Sequence, residues 1–344
     1  DAVLQPKDVF ELEYAADPQI SPDGEQVIYV RRSMDIMTDK VRSRLWMVHV
    51  DGTEHRPLTR SDTDASSPSF SPDGKRLAYV ARTRERTQFH VRGRETEQTA
   101  QLTKVKQAPY GVSESPDGTK LAFSMLVPQK NESFVEMPAK PEGAKWAPQP
   151  KVIDTLVYRS DGAGYLKAGY FQLFLFPADG GTPRQLTQCE FHHRYQPVWT
   201  HDGKALISSA TRQKDWEHGP LNSDLFHLPL GKGKLKRLTR RQGPDHSPTL
   251  SPDGRQIAFV GYDDKGRSHH QMELYVMNRD GGGRRCLTEE FDFAVRSPRF
   301  SQDGEGVFFQ YDEQGATKIG LLNLNNGTVK SDARDVGSTT LGRR

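Results

Sequence analysis

One four-residue turn, Ser-Pro-Asp-Gly, occurs four times in the chain and returns twice more in altered form. The copies begin at Ser21, Ser71, Ser115 and Ser251. The variants are Thr200-His201-Asp202-Gly203 and Ser301-Gln302-Asp303-Gly304. Proline presets φ at the second position, Asp offers its carboxylate to the turn backbone, and Gly takes the positive φ that closes the turn. Successive turns stand 50, 44, 85, 51 and 50 residues apart. A chain committed to six tight turns in register must be built from six similar units.

The flanks of each turn have the period of strands. Three residues after each Gly stands an apolar residue: Val27, Leu77, Leu121, Leu206, Ile257 and Val307. Five after it stand Tyr29, Tyr79, Phe123, Ser208, Phe259 and Phe309, so one face of a strand follows every turn. Three before the turn come Pro18, Pro68, Pro197, Pro248 and Pro298, with Val112 the exception. Between turns a Leu-Thr pair recurs at Leu58, Leu102, Leu186, Leu238 and Leu287, mostly behind an apolar run ending in a Gly turn such as "LWMVHVDG" or "LYVMNRDGG". Each period therefore holds about four short strands, the pattern of a β-propeller blade. The expected fold is all-β, with six countable repeats. Residues 1–16 read as a lead-in and 17–344 as the propeller, its last blade truncated.

The 85-residue interval is one blade plus an insertion. Residues 127–151, "VPQKNESFVEMPAKPEGAKWAPQPK", are rich in Pro, Lys and Glu and cannot close a core. The stretch reads as a surface excursion, either functional or merely tolerated. The net charge of +3 comes from interspersed acids and bases, which gives no face for nucleic acid. The locally basic Arg82–Arg94 segment reads as an exposed loop and edge strand. The two cysteines, Cys189 and Cys286, fall in different repeats and make no disulfide framework. No apolar run approaches the length of about 18 residues that spans a bilayer.

Catalytic motifs are missing. A serine hydrolase of the α/β type needs a Gly-x-Ser-x-Gly elbow, and the chain has none. Gly111-Val112-Ser113-Glu114-Ser115 and Gly266-Arg267-Ser268-His269-His270 lack the last Gly. The first leads into a repeat turn and the second lies in a polar loop. The pairs His192-His193 and His269-His270 read as surface-loop histidines, since neighbouring side chains on a strand diverge and cannot share one metal ion. "DGAGYLKAG" and "GKGKLK" are Gly-rich, but no helix follows to meet a phosphate. The turn aspartates are explained by turn stabilisation. No catalytic residue, metal ligand or cofactor is assigned.

Taken together, these residues resemble the N-terminal propeller of the prolyl oligopeptidase family, in its acylaminoacyl-peptidase and dipeptidyl-peptidase-like bacterial branch. The likeness rests on "DVFELEYAADPQISPDGEQVIYV" (Asp8–Val30), on Tyr158-Arg159, Asp161-Gly162 and Gly164-Tyr165, and on the closing "DVGSTTLGRR". The turn repeat alone is shared with TolB-like propellers.

The resemblance implies an incomplete seven-bladed ring, since six repeats are countable and the sixth runs out near Val336. It also implies a C-terminal α/β-hydrolase domain of the same parent chain, absent here, so this chain alone is expected to be inactive. The propeller would gate access of short peptides or acyl-peptides, with Arg159, Asp161 and Tyr165 as candidate substrate-binding residues because Arg can grip a carboxylate bidentately. The alternative is a free-standing TolB-like propeller that binds a protein or peptide. An open ring would leave blade edges that favour self-association. Asp1 fits either removal of a leader or trimming of a longer chain. The bacterial resemblance tilts the expectation toward an exported, periplasmic location over a cytoplasmic one.

Overall fold

The computed structural model describes residues 3, 5–82, 86–129, 138–147, 151–161, 163–219 and 221–333. Parts of the 127–151 excursion and the closing "DVGSTTLGRR" stretch lie outside the described residues. One short 3-10 helix, Pro6–Glu11, precedes an all-β body of six four-stranded antiparallel sheets. The first blade comprises Glu13–Ile20, Gln26–Asp35, Lys40–His49 and Arg56–Pro57; the second Asp64–Phe70, Arg76–Arg82, Thr87–Gly93 and Thr99–Gln101. The third comprises Pro109–Glu114, Lys120–Pro128, Gly169–Pro177 and Arg184–Gln185; the fourth Val198–Trp199, Ala205–Ala210, Asp224–Pro229 and Lys236–Arg237. The fifth comprises Asp245–Leu250, Gln256–Gly261, Glu273–Asn278 and Arg285–Cys286; the sixth Val295–Phe300, Gly306–Glu313, Ala316–Asn323 and Val329–Ala333. The repeat is thus a propeller of six blades, and its first strand reaches back to Glu13.

Every repeat motif has a local job. In the turn of the fifth blade, Gly254 N donates to Ser251 O at 2.8 Å and Ser251 Oγ donates to Asp253 Oδ1 at 2.5 Å. Gln256 N donates back to Ser251 Oγ, and Arg255 N to Asp253 Oδ1. The same bonds recur at the other turns, with Thr200 replacing serine in the fourth blade. The Leu-Thr pair fastens the outer strand to the third. Leu287 N donates to Leu274 O, while Thr288 Oγ1 accepts from Leu274 N at 2.9 Å. Thr59, Thr103, Thr187 and Thr239 do the same in the preceding blades.

The proline three residues before the turn sits at a β-bulge in the innermost strand. There the residue ahead of it turns to positive φ, as at Asp17, Ser67, Ser247 and Ser297. In the third blade Gly111 holds this conformation, and a Cβ on it would stand 3.0 Å from Gln196 Cα. Glycine lets the inner strands of the third and fourth blades approach there.

Cores form between blades, not within them. Residues three and five after each turn glycine point to the preceding blade, and the intervening ones to the following blade. Thus Ile207 and Leu225 meet Ile257, Phe259 and Tyr275, while Ala258, Val260 and Leu274 meet Val307 and Phe309. In the core between the second and third blades, Phe89 and Phe123 pack edge to face at 4.9 Å. Five such cores join six blades in series. Among the described residues no strand of the sixth blade packs along the first in this way. Accordingly Val27 and Tyr29 are half-buried, whereas their counterparts in the other five blades are buried. On the sixth blade Phe308, Ile319 and Leu321 are half-buried on the opposite end face.

Two readings require correction. Thr87–Gly93 is the third of four strands, with Phe89 fully buried, not an edge strand. His193 is fully buried, not in a surface loop. The fourth blade has Ser208 where the other blades have an aromatic residue, and the His193 ring fills that space. It lies 3.4 Å from Ser208 Oγ and against Phe226. Burial lowers its pKa to about 3, with Arg212 adding to the effect, so the ring is neutral. Arg212 Nη1 stands 3.3 Å from Nε2, which makes that nitrogen the acceptor. His192 diverges toward Tyr170 and Trp216.

Candidate functional site

The innermost strands enclose a central channel. The two positions before the bulge proline face it in most repeats, and their side chains vary: Ala16, Ser66, Tyr110, Tyr195 and Arg296 border the space. The channel has two chambers. The wider, of about 1150 Å³, opens at the end away from the repeat turns; the narrower, of about 700 Å³, lies among the turns. Asp17, Gln19, Tyr110, Tyr195, Gln196 and Ser297 border both and form the waist.

The wide chamber is polar with aromatic walls. Tyr14, Tyr110 and Tyr195 are all exposed. Tyr195 lies parallel on His246, with ring centroids 5.3 Å apart. Two arginines reach the chamber. Arg296 is neutralised by a two-pronged pair with Asp312 at 2.7 and 2.8 Å, and this pairing, with Thr317, lowers the Asp312 pKa to about 2. Arg32 makes no ion pair among the described residues. Its Nη1 is 3.4 Å from Tyr14 Oη, and its buried Nε has no hydrogen-bond partner.

A different feature occupies the narrow chamber. The residue just before each turn is Ile20, Phe70, Glu114, Trp199, Leu250 or Phe300, so a carboxylate stands at one otherwise apolar position. The Glu114 side chain is 5% exposed and lies 3.6 Å from Arg76 Nη2, while its Oε2 has no partner. Burial raises its pKa to about 7 against the pull of Arg76.

Among the described channel residues no nucleophile, base and orienting carboxylate come together. His246 Nδ1 stands 2.9 Å from Ser247 Oγ, but burial lowers the histidine pKa to about 4 and no carboxylate among the described residues orients the ring. Such an imidazole is a poor base at neutral pH. Among the described residues no three His, Cys, Asp or Glu side chains converge on a metal-sized site. Cys189 and Cys286 are free thiols.

The residues singled out by resemblance lie elsewhere. Arg159 and Tyr165 pair in a small two-stranded hairpin outside the blades. Arg159, Asp161 and Tyr165 are all exposed, and neither Arg159 nor Asp161 makes an ion pair among the described residues. Lys151 Nζ sits 3.8 Å over the Tyr165 ring. The hairpin leaves the third blade between Pro128 and Gly169, at the same end of the ring as the wide chamber. Gly162 lies outside the described residues. The channel residues Tyr14, Arg32, Tyr110 and Tyr195 were not singled out from sequence. For Tyr110 and Tyr195 the signal was the variable repeat position five residues before each turn; Tyr14 and Arg32 had none.

Six four-stranded blades around a polar channel define a β-propeller. The chain belongs to the TolB β-propeller domain family, whose model matches residues 26–220. It is 27% identical over 335 residues to the uncharacterized peptidase YuxL of Bacillus subtilis, an alignment covering 92% of this chain and 50% of that protein. Its fold is similar to that of Pyrococcus horikoshii acylaminoacyl peptidase, with a TM-score of 0.70, 17% identity, and coverage of 94% of this chain and 46% of that one. TolB from Acinetobacter baumannii is also similar, with a TM-score of 0.55, 18% identity, and coverage of 93% and 63%. The chain thus spans half the length of the Bacillus relative. Among the described residues no helix is long and apolar enough to cross a membrane.

Proposed function

We propose that this chain is the non-catalytic propeller of a prolyl-oligopeptidase-family serine peptidase, gating the approach of short peptides or acyl-peptides to a hydrolase domain of the same parent chain. The observation that carries the reading is the polar channel, whose waist is bordered by six side chains. A short extended chain fits such a passage and a folded protein does not. Half-length coverage of a peptidase relative supports it. In this reading Arg159, Asp161 and Tyr165, on the hairpin at the wide-chamber end, meet the substrate terminus. The half-buried end faces of the first and sixth blades meet further parent chain, or in the isolated chain a second copy.

The test is the parent protein in its native source, captured with an antibody against this chain. A mass about twice the 38.8 kDa of this chain, with turnover of peptides slowed by Ser66→Trp at the channel but unchanged on a small ester, supports the reading. A species of 38.8 kDa without peptidase activity overturns it. That result would favour the second reading, a free-standing propeller that binds a protein or peptide, which the TolB family match supports.

A further inference from the structure

We propose that the seam between the third and fourth blades is a docking groove for an acidic peptide segment of a partner protein. A groove of about 600 Å³, separate from the channel, crosses this seam and extends to the fifth blade. Lys120, Arg184, Lys204, Lys232 and Arg279 border it, against a single lining carboxylate, Asp202. Four of the five cations, all but Lys120, are exposed and have no ion pair among the described residues. Lys120 Nζ donates to Thr119 Oγ1 at 3.1 Å and has one long ion-pair contact, with Asp117 at 3.9 Å.

The nearby acids are already engaged. Asp202 accepts from Thr200 Oγ1 at 2.6 Å and from Lys204 N at 3.0 Å. Asp179 pairs with Arg76, and Asp280 accepts from Gly282 N. Lys234 on the adjoining turn and Lys236 at the start of the fourth blade's outer strand add to the positive field, with Lys236 Nζ donating to Asp280 O at 2.8 Å. His227, half-buried in the groove, reports that field: burial lowers its pKa, and Arg279 and Lys236 lower it further.

The floor selects among anions. Leu175, Pro229 and Leu230 give it an aliphatic surface, and no Phe, Tyr or Trp lines it. Bases have nothing to stack on, which disfavours nucleic acid. The cations come from five separate segments of three blades, which suits an extended chain with several charges. A strand alternating acidic and aliphatic side chains places its charges on the rim and its apolar groups on the floor.

The probe is a fluorescein-labelled ten-residue peptide of alternating Glu and Leu, followed by anisotropy. Binding is expected, and should weaken as salt rises from 0.1 M to 1 M and the screening length falls from about 10 Å to about 3 Å. The double variant Lys204→Glu/Arg279→Glu should lose about tenfold or more in affinity, since two rim charges are reversed. The control Lys75→Glu/Lys330→Glu reverses exposed charges on the second and sixth blades, neither of which borders the groove, and should stay within about twofold. The His227 pKa, followed by proton NMR, should rise when the peptide binds. The proposal is overturned by no binding, by equal loss in the control, or by tighter binding of a ten-residue oligothymidylate.

Discussion

Glu114 makes a testable link between the repeat and pH. Its carboxyl occupies a position that five other blades give to Ile, Phe, Trp or Leu, with Arg76 only 3.6 Å away and one oxygen unpartnered. Its pKa is about 7, against an ordinary 4.5. Folding therefore favours the protonated form, and the native state holds more protons than the unfolded one between those values. Stability from this group is fully present below pH 4.5 and is lost as pH rises through 7. At about 1.4 kcal/mol per tenfold difference in proton affinity, the swing is about 3 kcal/mol.

Glu114→Gln removes the titration while keeping shape. Its stability relative to wild type should rise by about 3 kcal/mol between pH 5 and pH 8, measured by urea unfolding at each pH. His192, His193 and His246, whose pKa values burial lowers to about 4, 3 and 4, act in the opposite sense and destabilise below about pH 6.5. They are common to both proteins and cancel in the difference. A difference that does not change with pH would refute the reasoning.

Two further perturbations probe the seams. Asp245→Asn leaves Arg241, 5% exposed and 2.6 Å from the carboxylate, with only a 3.5 Å contact to the exposed Asp263. Chemical denaturation should register a loss of about 3–5 kcal/mol. Thr288→Val keeps the shape but deprives Leu274 N of its 2.9 Å acceptor in a buried site, and should cost about 1–3 kcal/mol by the same measurement. Amide exchange at Leu274 should speed up in that variant.

The blades were legible because their signals are local. Ser251, Asp253 and Gly254 close a turn by bonds within six residues, and Thr288 reaches a strand fourteen residues back. Repetition multiplied those signals. The channel was less legible, because Tyr110, Tyr195 and Arg296 occupy one repeat position with unlike side chains, and only ring closure brings them together. Polarity suggested the surface for His193. The missing aromatic at Ser208 was the clue that a neighbouring ring would be drawn inside. Glu114 was visible by aligning the residues before each turn, but its burial depended on which face meets the next blade. The basic groove joins Lys120, Lys204 and Arg279 from three blades, so no short window contained it.

Five cores for six blades make this body a linear array along its described length. In such an array each blade draws support only from its neighbours, and an end blade has one neighbour instead of two. In the isolated chain amide exchange should then be graded, slowest in the third and fourth blades and faster toward the first and sixth. The channel inherits that gradient. Its wall at Tyr110 and Tyr195 belongs to the middle blades, while its wall at Tyr14, Arg32 and Arg296 belongs to the first and sixth.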